Sequence, residues 1–185
     1  MGVSKMEKIH DFVADLAAIL VEDQVVSATE AQAMIADFKN DSQESFEDFL
    51  LTEGLVLKDD LLLALSRYYE VPAIDVQGSF FDASLVQSFP KDFLLKYGAI
   101  PLELDQEVLM VVTYNPNQED LAGKFELYLP NVVEFRVGFL TDIRDAIREY
   151  FDQEPAVLGD PDDIDHEQSE FAESETLDSI VDERE

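Results

Sequence analysis

The chain has 185 residues, 46% of them hydrophobic and 13 of them Phe, enough apolar surface for one core or two small ones. Asp and Glu number 42 against 12 Lys and Arg, and a formal charge of −30 repels phosphate backbones and anionic headgroups, which excludes nucleic acids and acidic membranes as partners. The absence of cysteine excludes disulfides, thiolate zinc sites and a cysteine nucleophile, and it fits a cytoplasmic setting.

The N-terminus runs into an amphipathic stretch carrying Asp11 and Asp15 rather than an apolar signal core, and no apolar run reaches the length of a membrane span, so direct membrane insertion is not expected. Ile9, Phe12, Val13, Leu16 and Leu20 recur at helical spacing and predict a first helix. Ser27-Ala28-Thr29-Glu30 is a capping-box pattern that opens a second helix, with Ala31, Met34, Ile35 and Phe38 as its apolar stripe. The polar run Lys39 to Glu44 reads as a loop. Phe46, Phe49 and Leu50 begin a third helix that ends at Gly54, and Leu61, Leu62, Leu65 and Tyr69 mark a fourth.

Laid over each other with an offset of thirty residues, the two helix pairs match at Leu20/Leu50, Val21/Leu51, Gln24/Gly54, Val26/Val56, Ala31/Leu61 and Ile35/Leu65. Two explanations are open: an internal repeat, which is the preferred one, and the generic agreement of any two helix-turn-helix units at core positions.

After Val71-Pro72 the texture changes to short apolar runs broken by Pro, Gly and Asn, as in a small α+β unit. Pro90 to Tyr97 predicts a helix with proline in its first turn and Gly98 as its stop. Ile100 to Leu104 and Val108 to Val112 predict a hairpin turning at Asp105-Gln106. A helix with Leu121, Phe125 and Tyr128 inward follows, then a strand in which Val133, Phe135 and Val137 alternate with Glu134 and Arg136, then a helix through Ile143, Ala146, Ile147 and Tyr150. Residues 151–185 hold seven Asp and seven Glu against Arg184 alone, a charge of −13, and are expected to be a disordered acidic tail or linker. The expected architecture is α+β: helical hairpins over 1–70, a three-stranded sheet packed with helices over 71–150, and the tail.

The patterns of catalysis are missing. None of the seven glycines opens a phosphate-binding loop, and no Ser is flanked by glycines at two residues to each side. His10 and His166 stand far apart, and His10 reads as a helix-surface residue rather than a ligand. Asp160-Pro161-Asp162-Asp163-Ile164-Asp165 lacks the Gly and Glu of a calcium loop, whose places Asp165 and Phe171 hold. No catalytic, cofactor-binding or metal site residue is assigned, no cofactor is expected, and the chain reads as non-enzymatic.

Phe49-Leu50-Leu51 with Gly54 and Val56, Leu61 and Leu65, Val71-Pro72 with Asp75-Val76, Tyr97-Gly98 with Ile100-Pro101-Leu102, Leu109-Met110 with Asn115-Pro116, and Asp142-Ile143 with Ala146-Ile147 and Tyr150 form an ordered series. In that order and spacing the stretch from Glu44 to Tyr150 resembles the N-terminal domain of type II secretion and type IV pilus assembly ATPases, the family of the mannose-sensitive hemagglutinin pilus ATPase. The resemblance implies a docking domain that precedes an ATPase and meets a cytoplasmic face of an inner-membrane platform. The partner is then a protein, expected to present a basic surface to this acidic chain.

In some members the resemblance also implies cyclic di-GMP binding through two motifs that begin Arg-Leu-Gly and close with Gln. Here the Arg places hold Asp15 and Ser45, the Gly places Ala17 and Glu47, and the Gln places Phe38 and Tyr68. The phosphate-reading guanidinium is absent twice, so no ligand residue is carried over. The acidic tail resembles the linker before the ATPase. A longer ATPase cut short and a free-standing docking domain both fit.

Overall fold

The first 22 residues have the apolar spacing of a helix, and the computed structural model, which describes residues 5–41 and 44–152, places α1 at Lys5–Glu22. α2 follows at Ala28–Asp41, α3 at Phe46–Thr52 and α4 at Lys58–Tyr69. The capping box opens α2 as its sequence dictates: the Ser27 amide donates to Glu30 Oε2 at 2.7 Å, and the Glu30 amide donates to Ser27 Oγ at 3.3 Å. The expected loop at Lys39 is corrected, because α2 runs on to Asp41; a solvated last turn can be fully polar and still close its hydrogen bonds. At the start of α3 the Ser45 hydroxyl accepts from the Asp48 amide and donates to Asp48 Oδ2.

The two helix turns share their closing hydrogen bonds. The Gln24 amide donates to the Val21 carbonyl at 3.1 Å and Val25 to Leu20 at 3.0 Å; thirty residues on, Gly54 donates to Leu51 at 3.1 Å and Leu55 to Leu50 at 2.9 Å. Both pairs close a left-handed helix stop, with φ of +60° at Gln24 and +64° at Gly54.

Beyond α4 come a 3-10 turn at Val76–Gly78 and a short α5 at Ala83–Gln87, neither long enough to show a helical period in sequence. α6 spans Lys91–Tyr97, with Pro90 as its N-cap instead of its first helical residue and Gly98 left-handed at its end. β1 (Ala99–Asp105) and β2 (Val108–Thr113) pair antiparallel, and the register shifts between Pro101 and Glu103. Asp105 faces Val108, so the hairpin turns at Gln106-Glu107, one residue later than expected, with Gln106 taking the positive φ. α7 (Leu121–Glu126) crosses to β3 (Val132–Val137), which lies parallel to β2 and gives the order β1-β2-β3. α8 (Leu140–Asp152) follows. The architecture is α+β.

Leu121 and Phe125 are buried as expected, but Tyr128 is 46% exposed: α7 ends before it, and the ring leans on Phe93 from outside at 4.8 Å. One buried cluster joins α1 to α4 through Leu16, Leu20, Leu50, Leu61 and Leu65, and it takes in Val137 and Phe139. The other gathers Phe89, Leu94, Ile100, Leu109, Phe125, Ile143 and Ile147 about the sheet. Backbone bonds tie the two together, Ile74 donating to Val137 and Val137 to Pro72. Lys58 at the start of α4 adds a clasp, with Nζ 2.7 Å from Asp75 Oδ1 and 3.0 Å from Asp142 Oδ2. Burial pulls the Lys58 ammonium down, yet its bonds to Asp75 and Asp142 outweigh that and hold it above its ordinary value. No described helix is long and apolar enough to cross a membrane. The expected acidic tail lies outside the described residues, apart from Phe151 and Asp152 at the end of α8.

Candidate functional site: an aromatic and acidic cleft

Where the helical pairs meet the β2–α7 and β3–α8 connections, the packing leaves a cleft of about 620 Å³. Residue by residue, α1 brings Asp11 and Phe12, α2 brings Phe38, and α3 with its cap brings Ser45, Phe46, Glu47 and Asp48. α4 contributes Tyr68 and Tyr69, and the two connections contribute Tyr114, Asn115 and Phe139. The rings pack on one another along the walls. Phe12 meets Tyr68 edge-on with centroids 5.0 Å apart, Tyr68 meets Tyr69 edge-on at 4.8 Å, and Phe38 meets Phe46 at 5.1 Å.

Asp11, Glu44, Glu47 and Asp48 line the cleft, and among the described residues no Lys, Arg or His lines it. Burial pushes the Glu47 carboxyl up, outweighing the hydrogen bonds from its own backbone and from Ser45, and neighbouring Asp48 adds to the rise. Asp48 is held from two sides, by the Ser45 hydroxyl at 2.9 Å and by the Thr141 hydroxyl at 3.1 Å. Burial raises the Tyr68 and Tyr69 hydroxyls, and Asp15 with Asp11 reinforces the first while Glu47 reinforces the second. Both phenols therefore stay protonated at neutral pH and can donate hydrogen bonds.

Of the six positions matched above to nucleotide-binding motifs, the structure brings Phe38, Ser45, Glu47 and Tyr68 to the cleft. Ala17 is buried in the helical core, and Asp15, exposed on α1, is not among the lining residues. His10 lies in the backbone of α1, its side chain outside the described residues, as is His166. Tyr69, Tyr114 and Phe139 carried no signal in sequence, since an aromatic at helical or strand spacing reads as core. Among the described residues no group of three His, Asp or Glu is arranged to hold a metal ion.

Two helical hairpins stand beside a three-stranded α+β unit, with a cleft at the connections. Residues 69–157 match the MshEN domain family. The fold is similar to that of MshE solved with cdg, at 21% identity over 73% of this chain and 97% of that one, with a TM-score of 0.58. It is similar also to the N-terminal domain of XpsE, at 17% identity over 80% of this chain and 97% of that one, with a TM-score of 0.50. No curated relative matches the chain. The resemblance to the N-terminal domain of the type II secretion and type IV pilus assembly ATPases thus holds in both family model and fold. The helices that supply Asp11, Phe38 and Glu47 lie before the matched stretch.

Proposed function

We propose that the chain is a non-catalytic docking module that receives a basic protein surface. Its partner is an inner-membrane platform component of a secretion or pilus apparatus, met from the cytoplasmic side. The observation that carries this reading is the cleft, where rings and carboxylates stand together with no cation among the described lining residues. A low-dielectric, negative recess favours an incoming positive group and opposes a dianionic nucleotide. The similarity to an N-terminal domain supports a docking role.

The test places a photo-crosslinking amino acid at Asp11, exposed beside the cleft, in the full chain expressed in its own host. Recovery of a secretion or pilus membrane component in the cross-linked product supports docking. Products without any such component, or ATP hydrolysis by the purified chain, overturn it.

A second reading, response to cyclic di-GMP, is favoured by one observation: the similar MshE structure contains cdg. Calorimetric titration of the full chain at low salt decides it. Saturable heat establishes the response, and a flat trace removes it, as the carboxylates at Glu47 and Asp48 lead us to expect.

A further inference from the structure

Aromatic faces and carboxylates arranged together are a receptor for a particular kind of cation. A planar guanidinium is weakly hydrated, lies flat on rings, and presents two parallel N–H groups to a carboxylate. A compact ammonium does neither and must shed a stronger water shell. In the cleft the half-buried rings of Phe12, Phe38, Tyr68 and Tyr69 stand with Glu47 and Asp11. Two described cations of α4 are engaged outside the lining: Lys58 is held by Asp75 and Asp142, with Nζ 6.0 Å from the centre of the Phe139 ring, and Arg67 is held by Glu22 and Asp23.

We infer that the cleft is the receiving pocket for an arginine side chain presented by a peptide segment of the partner, with the guanidinium between the rings and paired to Glu47. This inference rests on the docking reading and assigns its contact. The occupant is a segment rather than a free guanidinium compound because about 620 Å³ falls in the range of pockets that take whole small ligands, far beyond one planar ion. The stem of an arginine and its flanking residues fill the remainder, and the side-chain NH2 groups of Asn115, whose Oδ1 accepts from the Asn117 amide, and of Asn117 stand at the cleft for a peptide main chain. Glu47 is the anchor, since burial already raises its proton affinity and an arriving guanidinium relieves that penalty.

The experiment titrates the isotope-labelled full chain, at low salt, with acetyl-Ala-Arg-Ala-amide, its citrulline and lysine analogues, and agmatine, following amide shifts. The arginine peptide is expected to shift the amides of Glu47, Tyr69 and Asn115 saturably. The citrulline peptide should leave them in place, and the lysine peptide and agmatine should bind at least fivefold more weakly. A Glu47→Gln chain should lose tenfold or more in affinity with no fall in its urea midpoint, and Asp11→Asn should lose less. Equal binding of citrulline overturns the inference, because charge is then irrelevant. Agmatine binding as tightly as the peptide overturns it in favour of a small-molecule site, and shifts confined to other acidic surfaces overturn it as diffuse attraction. Recovery of a membrane component by cross-linking, with the cleft silent to the arginine peptide, leaves docking standing and removes this inference alone.

Discussion

Glu47 is a carboxylate whose burial costs stability at neutral pH. Burial raises its carboxyl above the ordinary glutamate value, so the folded state holds the proton more tightly than the unfolded state does. That preference stabilises the fold fully below the unfolded glutamate range and is lost as pH rises through the folded value. At neutral pH the ionised group is a cost. Glu47→Gln should therefore raise the urea midpoint at pH 7, and the two proteins should converge below about pH 4, where both side chains are neutral. A lower midpoint for the variant at pH 7 would show that Glu47 has a cationic partner within the chain. Gly98 is the opposite case, a residue fixed by space. Its φ is +56°, and a Cβ there would lie 2.6 Å from Leu140 Cδ1 and 2.7 Å from Tyr114 Cδ1. Left-handed strain and overpacking together put Gly98→Ala at about 2 to 4 kcal/mol of lost stability. Gly54→Ala, with φ of +64° and nothing within 4 Å, should cost only the strain, about 1 to 2 kcal/mol. Urea unfolding of the two variants side by side checks the difference.

Among the elements, the paired helix turns carry the next expectation. Gln24 occupies the place that Gly54 fills thirty residues later, with the same hydrogen bonds and nearly the same φ. Gln24→Gly should thus stabilise the chain by about 1 kcal/mol, because relief of the left-handed strain exceeds the entropy glycine adds to the unfolded state. A loss of stability would mean that the Gln24 side chain makes contacts worth more than the strain. The elements were legible where a period ran long enough: α1, α2 and α4 through their apolar spacing, β3 through the alternation of Val133 and Val137, α6 through Pro90 and Gly98. The end of α2 was hidden because Lys39 and Asp41 are polar in a helix as in a loop. The 3-10 turn at Val76 and the five-residue α5 are shorter than any pattern that could announce them. The cleft was hidden for a different reason. Its rings come from six separate segments, and Phe12, Phe38 and Phe46 sit at the positions that in any amphipathic helix point to the core. Only the third dimension shows that Phe12 and Phe38 stop half-buried, at a space no described side chain fills.

For the molecule as a whole, charge decides how salt must act. Residues 1–150 carry −17 of the −30, and the remaining −13 follows them in the chain. Such an excess repels itself in the compact state more than in the expanded one. Several of the ion pairs among the described residues are exposed: Arg67 with Glu22 and Arg148 with Asp145 stand largely in solvent, where an ion pair contributes about 0 to 1 kcal/mol. Salt shortens the reach of charge from about 30 Å at 0.01 M to about 3 Å at 1 M, so it screens the distant repulsions while barely touching contacts such as Lys58 with Asp75. The urea midpoint of the full chain should accordingly rise between 10 mM and 500 mM sodium chloride. Over the same range the affinity for a basic partner should fall, because there the attraction is what salt removes. The two slopes must have opposite signs if the charge serves recognition at the expense of stability. A midpoint that falls with salt would instead make local pairs such as those of Lys58 and Arg67 the dominant electrostatics of the fold.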